Sequence, residues 1–271
     1  MLVFDIGASK IRVAEVSGIK IKNKVVIKNP QKKQKILKVL FELIESYKKQ
    51  DIGIGVASFL KNGLTICTPN IDFEDVNLKS ILSKKYKVNV FVENDANCAA
   101  LAEKHFGHGK NAKNFVLLTL GTGIGGGVII NNKLYTGTNG TASEPGHMII
   151  EGKHLEQIAS GPATVKLARE LGLKNIDAYS LEDLAKKGNK TALKVYDIIG
   201  KRLGIALLNL AYILDPKIIL LGGGFANVKF IYNPAIKTLH EGDWADRKIP
   251  VMQAKLKDDA GLIGAALLAK N

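Results

Sequence analysis

Between Phe115 and Ile130 the chain runs from one apolar stretch to another through Gly121-Thr122-Gly123-Ile124-Gly125-Gly126-Gly127. Five glycines in seven residues, placed between two strands, carry a backbone-entropy cost that an ordinary turn does not require. Something must come close to that backbone. Strand rather than helix follows, so the segment is not a dinucleotide fingerprint, and the lysine of a Walker loop is absent. Two further small-residue turns follow short apolar runs: Asp5-Ile6-Gly7-Ala8-Ser9-Lys10 closes Leu2 to Ile6, and Gly222-Gly223-Gly224 closes Lys217 to Leu221. Such turns let backbone N–H groups approach a phosphate, and a carboxylate beside one can hold Mg²⁺ through water. Taken alone, Gly7 reads equally well as a hairpin turn that wants positive φ. Three glycine turns at equivalent strand ends are better explained together.

The remaining pattern supplies the frame for these turns. Leu2 to Ile6, Ile11 to Val16 and Val25 to Lys28 read as a β-meander. Ile36, Leu37, Leu40, Leu43, Ile44 and Tyr47 then recur at helical spacing within Gln31 to Lys49. Ile52 to Val56 and Val88 to Val92 read as strands, and Ala96 to Glu103 as an alanine-rich helix. Past the Gly107 to Asn111 loop the same order begins again. Strands are expected at Phe115 to Leu120, Gly123 to Ile130 and Lys133 to Tyr135, the Asn131–Asn132 pair making a hairpin turn. Helices follow at Gly161 to Leu171 and Thr191 to Leu214, then strands at Lys217 to Leu221 and Val251 to Leu256, and a closing helix at Gly261 to Lys270. The expected architecture is α/β and two-lobed, each lobe a mixed sheet with helices and a cleft between them. Residues 1–106 plus 257–271 make a smaller lobe, and 107–256 a larger one.

Composition removes several function classes. No basic region, long apolar stretch or cleavage site follows Met1, and no apolar run reaches the roughly 20 residues of a membrane-spanning helix. A soluble, cytoplasmic protein without membrane partners is expected. Cys67 and Cys98 are the only cysteines, which build neither a disulfide framework nor a metal cage. The net charge of +14 invites a nucleic-acid reading, but the only arginines are Arg12, Arg169, Arg202 and Arg247. The excess is scattered lysine with no accompanying reading motif, so a solvated face is expected and no nucleic-acid partner.

Glu93-Asn94-Asp95-Ala96 stands at the end of an expected strand and the start of a helix. A carboxylate there projects into a cleft and can accept a hydrogen bond from a substrate hydroxyl. Phosphoryl transfer asks little more of a protein than positioning, charge neutralisation and such a base. Asn94 or Asp95 also suits a helix N-cap.

Together these segments resemble the ROK family of sugar kinases and repressors, within the actin-like ATPase (ribonuclease H-like) superfamily, over nearly the whole chain. Asp5 to Ile11 is similar to the family's first phosphate motif, with Ala8 and Ser9 where Gly and Thr are usual. Gly121 to Gly127 resembles the second phosphate motif and Gly222 to Gly224 the adenosine motif. Glu93 to Ala100 resembles the catalytic segment. The resemblance implies ATP and Mg²⁺ as cofactors, with Asp5, Gly7, Ser9, Lys10, Gly121, Thr122, Gly123, Gly223 and Gly224 on the nucleotide side and Asp5 near the metal. It implies Asp95 as catalytic base, with Asn94, Asp95, Glu144, His147 and Glu156 on a hexose. Ser143-Glu144-Pro145-Gly146-His147 looks like the sugar clamp, and Glu156 matches a third sugar-binding carboxylate.

The chain departs most sharply from the family just beyond His147. Its relatives commonly carry a zinc site of that histidine and three cysteines, whereas His147 to Glu156 contains no cysteine, so no zinc site is expected. Ala57 and Ser58 also stand where the resemblance puts a glycine and a proline. The resemblance implies a glucokinase-like enzyme and a homodimer. N-acetylmannosamine, N-acetylglucosamine and fructose are alternative acceptors, polyphosphate an alternative donor, and a non-catalytic sugar-sensing regulator the alternative of another class. The family's repressors carry a helix-turn-helix ahead of the kinase fold, while here the first phosphate strand starts at residue 2, so a kinase is expected.

Overall fold

The computed structural model describes residues 1–61, 63–67 and 71–270. The chain opens with β1 (Leu2–Ile6), β2 (Lys10–Ser17) and β3 (Lys20–Lys28), followed by α1 (Lys33–Glu45) and β4 (Ile52–Val56). A hairpin of β5 (Phe59–Lys61) and β6 (Leu64–Cys67) leads to α2 (Leu78–Tyr86), β7 (Val90–Asn94) and α3 (Asp95–Phe106). Five of these strands form one sheet in the order β3-β2-β1-β4-β7. The meander is antiparallel, and β4 and β7 add parallel to it.

β1 is buried along its whole length. Leu2, Phe4 and Ile6 pack with Ile36 and Leu40 of α1 and with Leu78 and Leu82 of α2. Val3 faces the other way, into a cluster with Ala14 and Cys98. Alternation along the strand turns Asp5 to the same side as Val3, which is the side of α3.

The second half repeats the plan. β8 (Phe115–Leu120), β9 (Ile124–Ile130) and β10 (Lys133–Tyr135) form a meander, and a 3₁₀ turn at Pro145–His147 precedes a small hairpin of β11 (Ile149–Ile150) and β12 (Lys153–His154). Then come α4 (Leu155–Ala159), α5 (Gly161–Glu170), α6 (Ala178–Lys186), α7 (Lys190–Leu214), β13 (Ile219–Gly222), α8 (Tyr232–Gly242), β14 (Val251–Gln253) and α9 (Ala260–Leu267). The second sheet is ordered β10-β9-β8-β13-β14, with β13 parallel to both β8 and β14. Strand for strand this is the topology of the first sheet. Asn131 and Asn132 turn the β9–β10 hairpin with φ of 52° and 66°, the left-handed pair that two-residue hairpins favour.

Val116, Leu118 and Leu120 of β8 bury against the α4–α8 layer, whereas Phe115 and Leu117 meet α3 and α9. Helices α3 and α9 thus form a middle layer that also covers the inner side of the first sheet through Cys98, Leu262 and Ala265. Their contact is backbone-close, since a Cβ on Gly264 would stand 1.7 Å from the carbonyl oxygen of Cys98. The chain leaves the first set of elements after Phe106 and returns to it between Gln253 and Ala260.

Every strand and helix expected from the pattern is present, with shifted ends. β3 begins at Lys20 rather than Val25, because Lys20 and Lys22 pair with Ser17 and Glu15 although they lack apolar alternation. It is an edge strand, where lysines protect the open side. β7 runs to Asn94 rather than stopping at Val92, which sets α3 directly on its end. The β5–β6 and β11–β12 hairpins and helices α2, α4, α6 and α8 were not expected. Each is short, and one to three turns of helix do not offer enough apolar repeats to stand out from a loop. Among the described residues, no helix is long and apolar enough to cross a membrane.

Candidate active site

The turn after β1 and the turn after β8 occupy equivalent places in the two sheets, and both open onto one cleft of about 380 Å³, a volume suited to a small organic ligand. Its walls include Gly7, Ser9, Lys10, Asn94, Asp95, Gly121, Thr122, Gly123, Glu144, His147, Glu156 and Gly223. Residues about 150 positions apart in sequence, such as Gly7 and Glu156, meet here. Gly224 stands beside this wall, exposed, outside the lining. Asp5 sits one residue deeper, buried beneath the first turn.

The glycines divide into two kinds. Gly7 and Gly121 lie outside the set of glycines with positive φ. A Cβ on Gly7 would reach nothing nearer than the Lys10 carbonyl oxygen at 3.5 Å, and one on Gly121 would meet nothing within 4 Å. The hairpin-turn reading of Gly7 therefore loses its reason, and at both positions the open side faces the cleft. Gly126 and Gly127 are different. A Cβ on Gly127 would lie 2.6 Å from Cβ of Ala100 and 2.8 Å from the carbonyl oxygen of Ala96, and one on Gly126 would strike the ring of Pro145. What comes close to that half of the glycine run is the protein itself. Gly223, at φ 81°, is likewise required by the Leu120 backbone, 2.3 Å from its would-be Cβ.

The first turn is braced from outside. Buried Asn29 donates from Nδ2 to the Gly7 carbonyl at 2.8 Å, and its own N–H reaches the Ser9 carbonyl at 3.0 Å. The second turn is braced by α5, whose first amide, that of Gly161, donates to the Gly121 carbonyl at 3.0 Å. This brings a helix N-terminus, the end that favours anions, against a turn already open to a ligand.

The β7–α3 junction resolves the two roles left open for Asn94 and Asp95. Asn94 Oδ1 accepts the amides of Ala96 at 2.9 Å and Asn97 at 3.1 Å, while its Nδ2 donates to the Ser58 carbonyl at 3.2 Å. Asn94 is the cap. Asp95 occupies the first helical position and lines the cleft. Its pKa is pushed up to about 7, by burial first and by the negative charge of Asp5 second. Asp5 is itself raised by burial, against the Arg12 guanidinium, whose Nη1 lies 2.7 Å from Asp5 Oδ2.

On the far wall Glu144 is pushed up to about 8, by burial and then by the charges of Asp95 and Glu156. Glu156, in the first turn of α4, accepts from the Ile124 amide at 3.4 Å. The His147 ring stands between Phe59, at 5.9 Å between centroids, and His154, at 5.4 Å. His154 Nδ1 lies 3.0 Å from the His147 carbonyl oxygen, so this second histidine braces the segment that carries His147. Among the described residues no group of three or more His, Cys, Asp or Glu is arranged to hold a metal.

Crowded acceptors of this kind suit donors. Sugar hydroxyls can donate further hydrogen bonds to Glu144, Glu156 and Asp95, and a hard divalent cation would relieve the repulsion between Asp5 and Asp95. Mg²⁺ is held by one or two carboxylates together with phosphate oxygens and water rather than by a protein cage, and Asp5 beneath the glycine turn fits that pattern.

Sequence reasoning did not single out Thr119, Arg12 or Phe59 as lining residues. Thr119 was within reach, since it precedes Leu120 and Gly121 just as Asp5 precedes Ile6 and Gly7. Arg12 is the cross-strand partner of Asp5, a relation that follows once the β1–β2 turn is known. Phe59 lies on the unexpected hairpin and carried no signal.

The ROK family model matches residues 1–271. The chain is 31% identical over 273 residues to a glucokinase of Thermotoga maritima, covering 88% of this chain and 84% of that one. It is 29% identical over 274 residues to a xylose repressor of Caldicellulosiruptor bescii, covering 86% of this chain and 67% of the repressor. Among solved structures, a ROK family glucokinase from Streptomyces griseus in complex with glucose and AMPPNP superposes with a TM-score of 0.88 at 29% identity, over 100% of this chain and 99% of that chain. The architecture is the two-lobed, actin-like one.

Proposed function

The chain belongs to the ROK family, and we propose that it is an ATP- and Mg²⁺-dependent sugar kinase that phosphorylates a hexose hydroxyl, with glucose as the first acceptor to test. The observation that carries this reading is one cleft bringing a half-buried carboxylate, Asp95, between two ligand-open glycine turns and a wall of hydroxyl-binding groups. Asp95 accepts the proton of the attacking hydroxyl. Asn94, Glu144, His147 and Glu156 hold the sugar. Gly7, Ser9, Lys10, Gly121, Thr122, Gly123, Gly223 and the neighbouring Gly224 face the nucleotide. Mg²⁺ bound near Asp5 would neutralise charge on the transferring phosphoryl group.

The lobes 1–106 plus 257–271 and 107–256 close over the two substrates, because water admitted to the site would compete for the phosphoryl group. The work is cytoplasmic, where ATP and free sugar meet. Glucose is placed first because glucokinases of several organisms are among the sequence relatives, at 31–35% identity. Initial rates on a panel of glucose, mannose, fructose, N-acetylglucosamine and N-acetylmannosamine, each with ATP and Mg²⁺, test the reading. Turnover of at least one is expected; no turnover of any, with sugar binding intact, would move the chain to the sugar-sensing class.

A homodimer is part of the proposal. Tyr135, Met148 and Ile213 border an apolar hollow on the larger lobe, and Ile213 is 74% exposed. Sedimentation of Ile213→Glu beside the unaltered chain tests it: a dimer that becomes a monomer is expected.

A further inference from the structure

Glu103 is completely buried, yet it lies far from the cleft lining and the proposed chemistry makes no use of it. Its two carboxylate oxygens are divided between two distant pieces of chain. Oε2 accepts the amide of His108 at 2.9 Å, and Oε1 accepts the amide of Leu256 at 2.7 Å. His108 belongs to the segment by which the chain leaves α3 for β8, and Leu256 to the segment by which it returns from β14 to α9. Both passages between the two sets of elements are therefore fastened to one side chain.

Three observations argue against an ordinary packing role. First, Glu103 sits in the last turns of α3, where the helix dipole disfavours a carboxylate. Second, among the described residues no lysine or arginine forms an ion pair with it. Its neighbour Lys104 is occupied by the carbonyls of Lys110 and Ala112 and by Asn132 Oδ1. A buried carboxyl group without a cationic partner is costly unless other donors satisfy it, and here backbone N–H groups do. Third, the outgoing passage is shaped around the carboxylate. A Cβ on Gly107 would lie 1.9 Å from Glu103 Oε2.

We infer that Glu103 is a positioning residue, the pivot that fixes how the two lobes meet by holding both interlobe passages on α3. Helix α3 begins at Asp95, so the setting of the passages is transmitted along a rigid element to the base. A change in how the two sheets are set relative to each other bends the chain in both passages, and Glu103 couples the two bends. The kinetic consequence rests on the sugar-kinase reading; the pivot itself does not.

The variant that tests it is Glu103→Gln, which keeps the shape but replaces one acceptor with an NH₂ group facing a backbone N–H, so that one passage is released. Small-angle scattering of the ligand-free variant is expected to show a larger radius of gyration and a broader distance distribution than the unaltered chain. With sugar and ATP, kcat is expected to fall about tenfold while both KM values stay within about threefold. A lower melting temperature with scattering and kcat per folded molecule unchanged would overturn the inference, leaving Glu103 a structural residue. If the unaltered chain phosphorylates no sugar, the function reading fails, and scattering still decides the pivot. Should the variant not fold, amide exchange in the unaltered chain serves: His108 and Leu256 are expected to be protected together although among the described residues no backbone carbonyl accepts from either, and loop-like exchange at either one would refute the proposal.

Discussion

Asn94 caps the helix that Asp95 begins, its Oδ1 taking the amides of Ala96 and Asn97 at 2.9 and 3.1 Å. Two adjacent residues of capping type thus divide two tasks. The amide takes the helix end, which leaves the carboxylate to the cleft, where it shares the Ala96 amide at 2.9 Å. In the same stroke Asn94 Nδ2 ties the end of β7 to Ser58 beyond β4, fixing the ledge from which Asp95 projects.

Asp95→Asn is expected to lower kcat by at least about a hundredfold while the sugar KM changes little, since general-base help is worth about 10²–10⁴. The carboxylate, not the acid, does this work. With its pKa near 7, kcat/KM of the unaltered enzyme should fall about tenfold per pH unit below that value and level off above it. Steady-state rates from pH 5 to 9 check both, and near-normal turnover of the variant would return Asp95 to a structural part.

Glu144 makes a prediction about stability. Its folded pKa of about 8 lies above its ordinary 4.5, so the folded state binds its proton more tightly than the unfolded state does. The favourable contribution is complete below about pH 4.5 and is lost as pH rises through 8. Glu144→Gln removes that dependence. The variant should gain on the unaltered chain between pH 5 and pH 8.5 by about 1–2 kcal/mol, discounted for its partial exposure, or a few degrees in Tm. Its sugar KM should rise. Melting curves at the two pH values suffice, and a gap that shrinks with rising pH would contradict the assignment.

Much of this was legible in the sequence because strand-end glycines and the Asn-Asp pair sit at sharp changes of pattern. The limits were also physical. Five close-set glycines signalled a near approach but not by what, and Gly126 and Gly127 turned out to accommodate Pro145 and α3. Arg12 joined the site through register, which is a property of pairing rather than of a local run. Glu103 read as one more polar residue on a helix, because its partners lie five and 153 positions away.

The glycine division can be measured with two alanine substitutions. Gly121→Ala adds a methyl to open space at a residue without positive φ, so stability should be unchanged or up to about 1 kcal/mol higher, while the ATP KM rises by about tenfold or more. Gly127→Ala drives a methyl into Ala100 and the Ala96 carbonyl, which should cost about 1–3 kcal/mol and, by shifting α3 under Asp95, lower kcat as well. If both variants lost stability equally and kept their ATP affinity, the open side of Gly121 would not be a nucleotide surface.

The basic charge of +14 raises the question of a polymeric phosphate donor, and the placement of the lysines argues for ATP. Lys20, Lys22 and Lys24 lie on the exposed edge strand β3, and Lys24, Lys85, Lys186 and Lys201 form ion pairs with Asp259, Glu45, Glu182 and Asp197. Among the described residues, Lys10 and Arg12 are the only lysine and arginine that line the cleft, and Arg12 is engaged by Asp5. A short anion that meets few cations releases few counter-ions, whereas a polyanion spanning many lysines would release many and lose affinity steeply with salt. The KM for ATP is therefore expected to shift only a few fold between low and physiological salt, with little or no turnover on polyphosphate. Turnover on polyphosphate exceeding that on ATP, with a steeply salt-dependent KM, would make the lysine surface part of the active site and overturn the donor assignment.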